Sequence, residues 1–578
     1  MKDYRKIYEE WLENPYFDEA TKEELRAIAG DENEIRERFY TDLEFGTAGL
    51  RGIIGAGINR MNVYTVRRAT QGLANYIIRQ GAAARGVAIA FDSRHMSPEF
   101  ATEAALTLAA NGIKAYRFES LRPTPELSFA VRKLGCIAGI NITASHNPPE
   151  YNGYKVYWED GAQFTPPHDQ GVTKEVMAIT DLSSVRTMDE AEAAKQGLYQ
   201  IIGAEMDDAY IAEVKAQVVN QGAIDRMQDQ ITIVYTPLHG TGNIPARRVM
   251  RELGFTHVHV VPQQELPDGD FPTVSYPNPE AEEAFALGLS LAKETDADLV
   301  LATDPDADRL GVYVKDAASG GYIPLTGNMS GSLLCEYVLS QKAANGTLPE
   351  DGQVVKSIVT TNLVDAVARH YHAELIEVLT GFKWIGKQIL KTEQEGKGTY
   401  LFGMEESYGC LIGTYARDKD AISATAALCE AAAYYKEKGM TLWDAMLAMY
   451  EKYGYYKDEV KSIGLKGIEG LEKIRAIMEY FRAHAPQELA GCRVLAVRDY
   501  QEDTIRDCES GQVRPTGLPK SNVLYYELED NAWLCVRPSG TEPKIKFYYG
   551  VKGSSLEDAG EKSAKMGEAV LSIVNGLL

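Results

Sequence analysis

A strand–helix–strand pattern that occurs three times places the strongest constraint on how this chain can fold. Residues 86–118 give a buried strand, a loop, a helix opening at Ser97-Pro98, an Asn-Gly stop and a second strand. Residues 231–261 and 353–378 repeat the same order. Units of this length force strands to pair in parallel, so helices must cover both faces of each sheet. The sequence therefore predicts three α/β domains built on one plan.

The last part of the chain, from about residue 456, follows a different pattern. Two predicted strands, NAWLCV and KIKFYYGV, flank the turn RPSGTEP, and an amphipathic helix ends the chain. A chain of 578 residues is too long for one hydrophobic core. We expect three similar mixed α/β-sandwich domains built on βαβ units plus a fourth, smaller α+β domain, around a central cleft. The expected boundaries are 1–207, 208–324, 325–455 and 456–578.

The composition argues against two classes of binding partner, nucleic acids and membranes. The formal net charge is −23 and no dense Lys/Arg run occurs, which argues against binding to nucleic acid. The N-terminal residues include acids and bases where a signal peptide has an apolar core, and no apolar stretch reaches about 18 residues. We therefore expect a cytoplasmic protein without a membrane partner. Its seven scattered cysteines predict reduced thiols, and the sequence does not indicate an oligomeric state.

Ser145 lies in the segment NITASHNPPEYNGYKVYW, residues 141–158. Small polar residues, two prolines and a glycine cannot continue a helix or strand, so Ser145 is predicted on a loop. A turn with no chemistry is the alternative. No Gly-x-Ser-x-Gly frame surrounds Ser145, and His146 cannot act as a triad base by adjacency alone. These two features argue against a serine hydrolase.

Three aspartates follow the predicted strand in LATDPDADRLG, residues 301–311. If Asp304, Asp306 and Asp308 converge, each ionised pair at about 4 Å repels by about 4 kcal/mol, so the cluster requires a cation. Carboxylate oxygens suit Mg²⁺. A solvated acidic turn is the alternative, and an EF-hand fits poorly because Arg309 and Lys315 stand where Gly and Glu belong.

Three further segments carry polar groups that suit anions or hydroxyls. In CVRPSGTEPKIKF, residues 535–547, a tight turn between strands combines an arginine fork with exposed backbone N–H groups, which favours a phosphate over a plain hairpin turn. The turn GMEESYGC offers Glu405 and Ser407 to sugar hydroxyls, or is a polar loop. The glycine-rich segment 46–62 lacks a dinucleotide or Walker pattern, but its Arg51 can reach an anion.

The motifs TASHNP, DPDADR, a Glu-Glu-Ser loop and RPSGTEPK occur in this order, one in each predicted domain. Together they resemble the α-D-phosphohexomutase family, and most closely its long phosphoglucomutases. The resemblance covers nearly the whole chain. It implies that Ser145 is a phosphoserine and that Ser145, Asp304, Asp306 and Asp308 hold Mg²⁺. One departure is Met404, where many phosphoglucomutases have glycine, and it bears on sugar specificity.

The resemblance also implies roles for other residues. The catalytic loop residues that steady the phosphoryl group correspond to Arg51, His146 and Lys155, and the lysine near the reacting hydroxyls corresponds to Lys383. The implied substrate-binding residues are Arg309 after the metal loop, Glu405 and Ser407 for the sugar, and Arg537, Ser539, Gly540 and Thr541 for the phosphate that does not react.

The implied activity is that of an isomerase acting on glucose 1-phosphate and glucose 6-phosphate. Ser145 passes its phosphate to a sugar phosphate, and glucose 1,6-bisphosphate is both intermediate and activator. A phosphomannomutase or phosphopentomutase of the same family is an alternative. A haloacid-dehalogenase-type phosphatase with Asp304 as nucleophile is another, but it leaves TASHNP unexplained. A non-catalytic phosphosugar-binding regulator is the last alternative, although Ser145 and all three aspartates are intact.

Overall fold

A computed structural model describes residues 3–46, 49–465, 467–539 and 544–577, apart from the side chains of residues 467 and 468. The chain divides into two compact units. The first unit comprises Met1–Thr326, Phe382–Phe402 and Ser407–Thr441, and the second comprises Gly327–Gly381, Gly403–Glu406 and Leu442–Leu578. All seven cysteines lie within the described residues, and each is a free thiol. No helix in the described part of the chain has the length and apolar character needed to cross a bilayer.

Three short helices precede the first sheet. Each begins after an aspartate whose side chain accepts a backbone N–H, as expected of a good N-cap. Trp11 stacks on Phe17 with ring centroids 4.1 Å apart and packs edge-on against Tyr64. This aromatic cluster fixes the helices against the first α/β domain. The helices are α1 (Tyr4–Glu13), α2 (Glu19–Ala27) and α3 (Glu32–Phe39).

The first sheet has six strands in the order β1-β5-β4-β2-β3-β6. The central strands β2 and β4 pair in parallel and are buried along their whole length, as a sheet covered on both faces requires. Strands β5 and β1 pair antiparallel at one edge, so the sheet is mixed. The strands are β1 (Gly49–Ile53), β2 (Val87–Phe91), β3 (Ala115–Phe118), β4 (Ala138–Ile142), β5 (Tyr151–Trp158) and β6 (Tyr199–Ile202).

Helices connect the strands of the first sheet as the sequence pattern predicts. The helix predicted from Ser97-Pro98 starts at Ser97, has proline in its first turn and ends before Asn111. Buried alanines and leucines on this helix join the core beneath the sheet. The helices are α4 (Val63–Arg79), α5 (Ser97–Ala110), α6 (Thr124–Leu134), α7 (His168–Ala178) and α8 (Glu190–Lys195).

The second sheet has five strands in the order β11-β10-β9-β7-β8, with β7, β8 and β9 parallel and β10 and β11 antiparallel. The predicted helix stop at Gly254 is confirmed, because Gly254 caps its helix at a φ of 111°. The elements are α9 (Ala204–Ala216), α10 (Gln221–Met227), β7 (Thr232–Thr236), α11 (Asn243–Leu253), β8 (His257–Val260), α12 (Glu282–Thr295), β9 (Leu299–Thr303), β10 (Leu310–Lys315) and β11 (Tyr322–Leu325).

The third repeat contains the predicted parallel strand pair, β12 and β13, with Val355 opposite Ile376. The sequence pattern predicts that β12 continues through Thr361. In the structure β12 ends at Ser357, because the Thr360 N–H donates a hydrogen bond to the Ser357 carbonyl. The elements are α13 (Gly327–Ala344), β12 (Gly352–Ser357), α14 (Leu363–His370), β13 (Glu374–Val378), α15 (Phe382–Glu395), β14 (Thr399–Glu405), β15 (Gly409–Ile412), α16 (Ala421–Glu437) and α17 (Leu442–Tyr453).

The last part of the chain is an antiparallel sheet with two long helices. The predicted strands around RPSGTEP and the predicted C-terminal helix are all present. The sheet order is β16-β23-β22-β21-β18-β19-β20, with β17 paired to β18. The elements are β16 (Tyr455–Gly464), α18 (Gly467–Ala483), β17 (Glu488–Leu489), β18 (Cys492–Asp499), β19 (Thr504–Asp507), β20 (Val513–Arg514), β21 (Leu524–Leu528), β22 (Trp533–Pro538), β23 (Lys544–Gly553) and α19 (Leu556–Asn575).

Candidate active site

Ser145 lies on a turn three residues beyond the end of β4, as the sequence predicts. Its backbone has a φ of 52°, a left-handed conformation that is uncommon for serine and concentrates at functional sites. The Thr143 hydroxyl accepts the Ser145 N–H at 2.8 Å and stabilises the turn. Strand β5 packs closely against the backbone of this turn. A Cβ atom added to Gly153 of β5 would lie 2.5 Å from the Thr143 carbonyl oxygen. The Ser145 side chain is therefore held in one place.

The three aspartates converge directly after β9. One carboxylate oxygen from each of Asp304, Asp306 and Asp308 lies within 4.8 Å of the other two, and all three residues are buried. The turn wraps around Asp304, whose Oδ1 accepts the N–H groups of Asp308 and Arg309 at 3.1 Å each. This wrapping brings the alternate carboxylates to one side. The predicted convergence of the three aspartates is confirmed.

The serine turn and the aspartate turn meet. Ser145 Oγ donates a hydrogen bond to Asp304 Oδ2 at 2.7 Å. The two residues follow strands of different sheets, and both turns lie at carboxyl ends of strands, where α/β folds place their ligands. Two motifs separated by more than 150 residues thus form one site within the first unit.

Two lysines offset part of the negative charge, and a threonine donates a further hydrogen bond. Lys155 on β5 donates to Asp306 Oδ2 at 2.8 Å, and the Thr124 hydroxyl at the start of α6 donates to the same oxygen at 2.9 Å. Lys419 Nζ lies 3.1 Å from Asp308 Oδ2. Buried carboxylates without such partners would be strongly destabilising.

The pKa values of the aspartates move in different directions. Burial, together with the charges of Asp306 and Asp308, raises the pKa of Asp304 well above its usual range. Burial and the Asp306 charge also raise the pKa of Asp308. Burial opposes ionisation of Asp306 as well, but the Lys155 ammonium outweighs it and holds that pKa low.

The donor set fits a divalent cation. Asp306 Oδ1 and Asp308 Oδ1 are buried and accept no hydrogen bond from the described residues. Such orphaned acceptors are costly unless an ion or water binds them. Three carboxylates with a hydroxyl beside them are oxygen ligands of the kind that Mg²⁺ takes.

The other predicted catalytic residues surround the serine turn. His146 Nδ1 lies 3.2 Å from Ser145 Oγ, and burial, helped by Arg309 and Arg51, lowers the pKa of His146 well below its ordinary value. The Arg51 guanidinium donates to Asn147 Oδ1 at 3.0 Å. The Arg309 guanidinium pairs with Glu280 at 2.9 Å. His146 thus lies beside Ser145, within electrostatic reach of both arginines.

Lys383 and Ser407 also belong to the first unit. Lys383 is the second residue of α15, with its ammonium 5.5 Å from the centre of the Trp384 ring, and burial lowers its pKa. Ser407 lies in the turn that follows β14. The position of Ser407 agrees with the predicted turn, whereas the segment TGFKWIG, expected to form a polar loop, begins a helix at Phe382. The roles of both residues stay predictions.

The second unit carries the remaining predicted residues. Glu405 is the buried last residue of β14. Arg537 near the end of β22 faces Lys546 across the antiparallel pair, and the Ser539 N–H donates to the Lys544 carbonyl at 2.7 Å. These contacts show the predicted antiparallel strands on both sides of the turn. Gly540 and Thr541 lie outside the described residues.

Two residues at the aspartate cluster were not predicted. Thr124 begins a helix after RP, and Lys419 lies in the segment ARDKDA between apolar stretches. Charged residues between apolar stretches are unusual in a buried region, and this pattern could have indicated Lys419 as a candidate. No local pattern marks Thr124, because its contact with Asp306 depends on how two domains of the first unit pack.

Comparison with known proteins agrees with this geometry. Models of the phosphoglucomutase/phosphomannomutase α/β/α domains I, II and III match residues 42–183, 208–320 and 326–453. A phosphoglucomutase of Staphylococcus saprophyticus is 36% identical over 555 residues, which is 95% of this chain and 97% of the relative. A phosphoglucomutase of Staphylococcus aureus strain MSSA476 is 36% identical over 531 residues, or 92% and 93% of the two chains.

Solved structures share the fold. A phosphoglucomutase/phosphomannomutase family protein from Burkholderia thailandensis matches 91% of this chain and 97% of its own, with a TM-score of 0.62 and 21% identity. The open form of parafusin, a phosphoglucomutase from Paramecium, matches 93% and 95% of the two chains, with a TM-score of 0.64 and 16% identity. The chain belongs to the phosphoglucomutase/phosphomannomutase family, the α-D-phosphohexomutases, and is an isomerase. The predicted family and fold class are confirmed.

Proposed function

We propose that this isomerase interconverts glucose 1-phosphate and glucose 6-phosphate through a phosphoserine at Ser145. The observation that carries the proposal is the 2.7 Å hydrogen bond from Ser145 Oγ to Asp304 Oδ2, which places a nucleophilic oxygen on a carboxylate cluster suited to a cation. The full-length similarity to phosphoglucomutases supports glucose as the sugar. Phosphomannomutase and phosphopentomutase activities are the alternatives within the family.

The proposed reaction consists of two phosphoryl transfers. The phosphate on Ser145 passes to the free hydroxyl of the bound sugar phosphate, the phosphorus–Oγ bond breaks, and glucose 1,6-bisphosphate forms. The bisphosphate reorients and returns its other phosphate to Ser145, and the oxygen that loses phosphate keeps the bonding electron pair and takes up a proton. Glucose 1,6-bisphosphate also primes unphosphorylated enzyme. Such transfers depend on alignment and on neutralising charge at the phosphoryl oxygens.

Residues around Ser145 supply much of that neutralisation. Lys155 is buried against Asp306, and Arg51 and Arg309 act electrostatically on His146 beside Ser145. We assign Asp304, Asp306 and Asp308 as the ligands of Mg²⁺ together with the Ser145 oxygen. When bound, Mg²⁺ supplies Lewis-acid stabilisation of charge on the phosphoryl group.

The remaining residues are assigned to the substrate. We assign Lys383 to the reacting hydroxyls, Glu405 and Ser407 to the sugar hydroxyls, and Arg537, Ser539, Gly540 and Thr541 to the phosphate that does not react. A mutase needs two phosphate sites because the intermediate must bind in both orientations. The corresponding domain assignment is a phosphoserine domain at 1–207, a metal-loop domain at 208–324, a sugar-loop domain at 325–455 and a phosphate-binding domain at 456–578.

A phosphatase mechanism with Asp304 as nucleophile fits the geometry poorly. Both Asp304 oxygens already accept hydrogen bonds, Oδ1 from two backbone N–H groups and Oδ2 from Ser145. A nucleophilic carboxylate needs an oxygen directed at the substrate. The contacts therefore favour Ser145 as the residue that takes phosphate.

A coupled assay tests the proposed function. Purified protein with Mg²⁺ and a trace of glucose 1,6-bisphosphate should convert glucose 1-phosphate to glucose 6-phosphate, which a dehydrogenase reports as NADPH. Mannose, glucosamine and pentose 1-phosphates run in parallel, with their products followed directly by ³¹P NMR, give the relative kcat/KM values. A higher kcat/KM for another sugar phosphate would replace glucose in the proposal, and no turnover of any of them would refute mutase activity.

A further inference from the structure

A buried arginine binds the backbone of the serine turn. Arg94 has no exposed side-chain surface. Its guanidinium donates to the carbonyl oxygens of Ser145 at 2.6 Å, Pro148 at 2.7 Å and Tyr151 at 3.0 Å, and also to that of Asn147. A single side chain thus ties four carbonyls of one turn together.

The serine turn needs such a donor. Its backbone leaves the sheet after Ile142, adopts a positive φ at Ser145 and contains two consecutive prolines, which have no N–H to donate. Carbonyls that point inward from an irregular segment are costly when they lack partners. The rigid guanidinium fork satisfies several of them at once, whereas a lysine ammonium is a point charge on a flexible stem.

Arg94 is itself held on two sides. Asp92 Oδ2 lies 3.3 Å from Arg94 Nε, and the other Asp92 oxygen accepts the Arg94 N–H at 3.0 Å. The Phe271 ring covers the guanidinium with its centre 5.0 Å from Cζ. Phe271 belongs to a loop of the second α/β domain. Gly269 in the same loop packs closely against the backbone next to Arg94, since a Cβ atom on Gly269 would lie 2.8 Å from the His95 backbone nitrogen. The domain that supplies the aspartates thereby also covers the arginine.

We propose that Arg94 is a positioning residue for phosphoryl transfer. By fixing the carbonyls of Ser145, Asn147, Pro148 and Tyr151, it keeps Ser145 Oγ against Asp304 and in line with the incoming phosphate. The hydrogen bonds that the Arg94 guanidinium donates go to backbone carbonyls, so we expect its loss to act on the rate of transfer and not on sugar binding. Misplacement of a reacting group by about 1 Å costs about 100-fold in rate. This inference rests on the proposed mutase function.

The test compares two matched substitutions. Arg94→Lys keeps the charge and removes the fork. Arg117→Lys is the control, because Arg117 in the same domain is also buried, also lies over a phenylalanine ring and also donates to backbone carbonyls, those of Phe118 and Pro98. We expect Arg94→Lys to lower kcat about 10- to 100-fold with KM for glucose 1-phosphate changed less than about threefold. Arg117→Lys should retain kcat at a similar melting temperature.

Two further measurements separate positioning from folding. Guanidinium at low millimolar concentration should restore part of the kcat of Arg94→Ala and leave Arg117→Ala unchanged. Hydrogen exchange followed by mass spectrometry should show faster exchange across residues 143–151 in Arg94→Lys but not in Arg117→Lys. Equal losses of kcat in both lysine variants, or wild-type kcat in Arg94→Lys, would overturn the proposal. If the wild-type enzyme shows no mutase turnover, the proposed function fails. The positioning role is then tested separately by hydrogen exchange, and an unchanged exchange rate across residues 143–151 in Arg94→Lys would refute it.

Discussion

Ser145 Oγ and Asp304 Oδ2 lie 2.7 Å apart, although the two residues follow strands of different sheets. The contact joins a turn with a positive φ to a turn wrapped around a buried carboxylate. A hydroxyl in that position can carry phosphate next to a bound cation. The proposed mutase chemistry follows from this contact, because it places the nucleophile and the cation ligands in one site.

Substituting Asp306 by asparagine should lower kcat by about 100-fold while leaving KM for glucose 1-phosphate within a few-fold. The change removes a ligand charge and also leaves the Lys155 ammonium without its carboxylate. Steady-state kinetics across a Mg²⁺ titration measure the effect, and more Mg²⁺ should be needed for half-maximal rate. Asp229→Asn on the surface of the same domain is the control. A variant as fast as wild type in the presence of chelator would remove the cation from the mechanism.

Arg537→Lys should raise KM for glucose 1-phosphate and lower kcat. The substitution keeps the charge but loses the planar fork that binds phosphate through two parallel hydrogen bonds. Binding of the remote phosphate also helps to orient the reacting hydroxyl, so kcat depends on it. Inhibition by inorganic phosphate should weaken in parallel, whereas Arg493→Lys on an exposed strand position of the same domain should change neither value. Wild-type KM and phosphate affinity in Arg537→Lys would place the second phosphate site elsewhere.

Glu405→Gln should lower kcat/KM about tenfold for every hexose phosphate, since a charged acceptor for sugar hydroxyls becomes neutral. The inhibition constant for inorganic phosphate should stay nearly constant, because phosphate has no sugar hydroxyls. Kinetics on glucose 1-phosphate beside phosphate inhibition separate the two effects. Glu374→Gln, at the exposed first residue of strand β13, serves as the control. Loss of phosphate affinity in Glu405→Gln would show that this residue does not act on the sugar.

Glu126→Gln should stabilise the protein at alkaline pH. Burial, followed by the neighbouring Asp207 carboxylate, raises the pKa of Glu126 well above 4.5. An acid whose pKa is higher in the folded state contributes stability that is complete below about pH 4.5 and is lost as pH rises through the folded pKa. Thermal unfolding should therefore show a melting temperature higher by about 2 °C or more in Glu126→Gln at pH 8, with the difference disappearing near pH 4.5. The same difference at both pH values would show that Glu126 is not protonated by the fold.

Local patterns in the sequence predicted much of the fold. The βαβ repeats, the helix start at Ser97, the stop at Gly254 and the terminal antiparallel strands follow from hydrophobic periodicity and from capping residues. Strand β12 ends earlier than predicted because the Thr360 N–H donates a hydrogen bond to the Ser357 carbonyl. The apolar and β-branched residues of this segment favour a strand and do not predict that turn.

The candidate site was predicted in part. Ser145 and the aspartates lie in motifs with recognisable spacing, and the family resemblance joined them. Thr124 and Arg94 carry no local signal, because their contacts depend on how two domains pack and on where a turn directs its carbonyls. Long-range packing of this kind is not encoded in any short segment.

Phosphopeptide mass spectrometry tests the central claim most directly. Wild-type protein incubated with glucose 1,6-bisphosphate and Mg²⁺ should carry phosphate on the peptide that contains Ser145, and the phosphate should survive hydroxylamine because it is a serine ester. Ser145→Ala should remain folded, since the loss of one hydrogen bond to a buried acceptor costs about 1–3 kcal/mol, but should neither take up phosphate nor turn over substrate. Phosphate on another residue, a hydroxylamine-labile phosphate on Asp304, or an active Ser145→Ala enzyme would contradict the account.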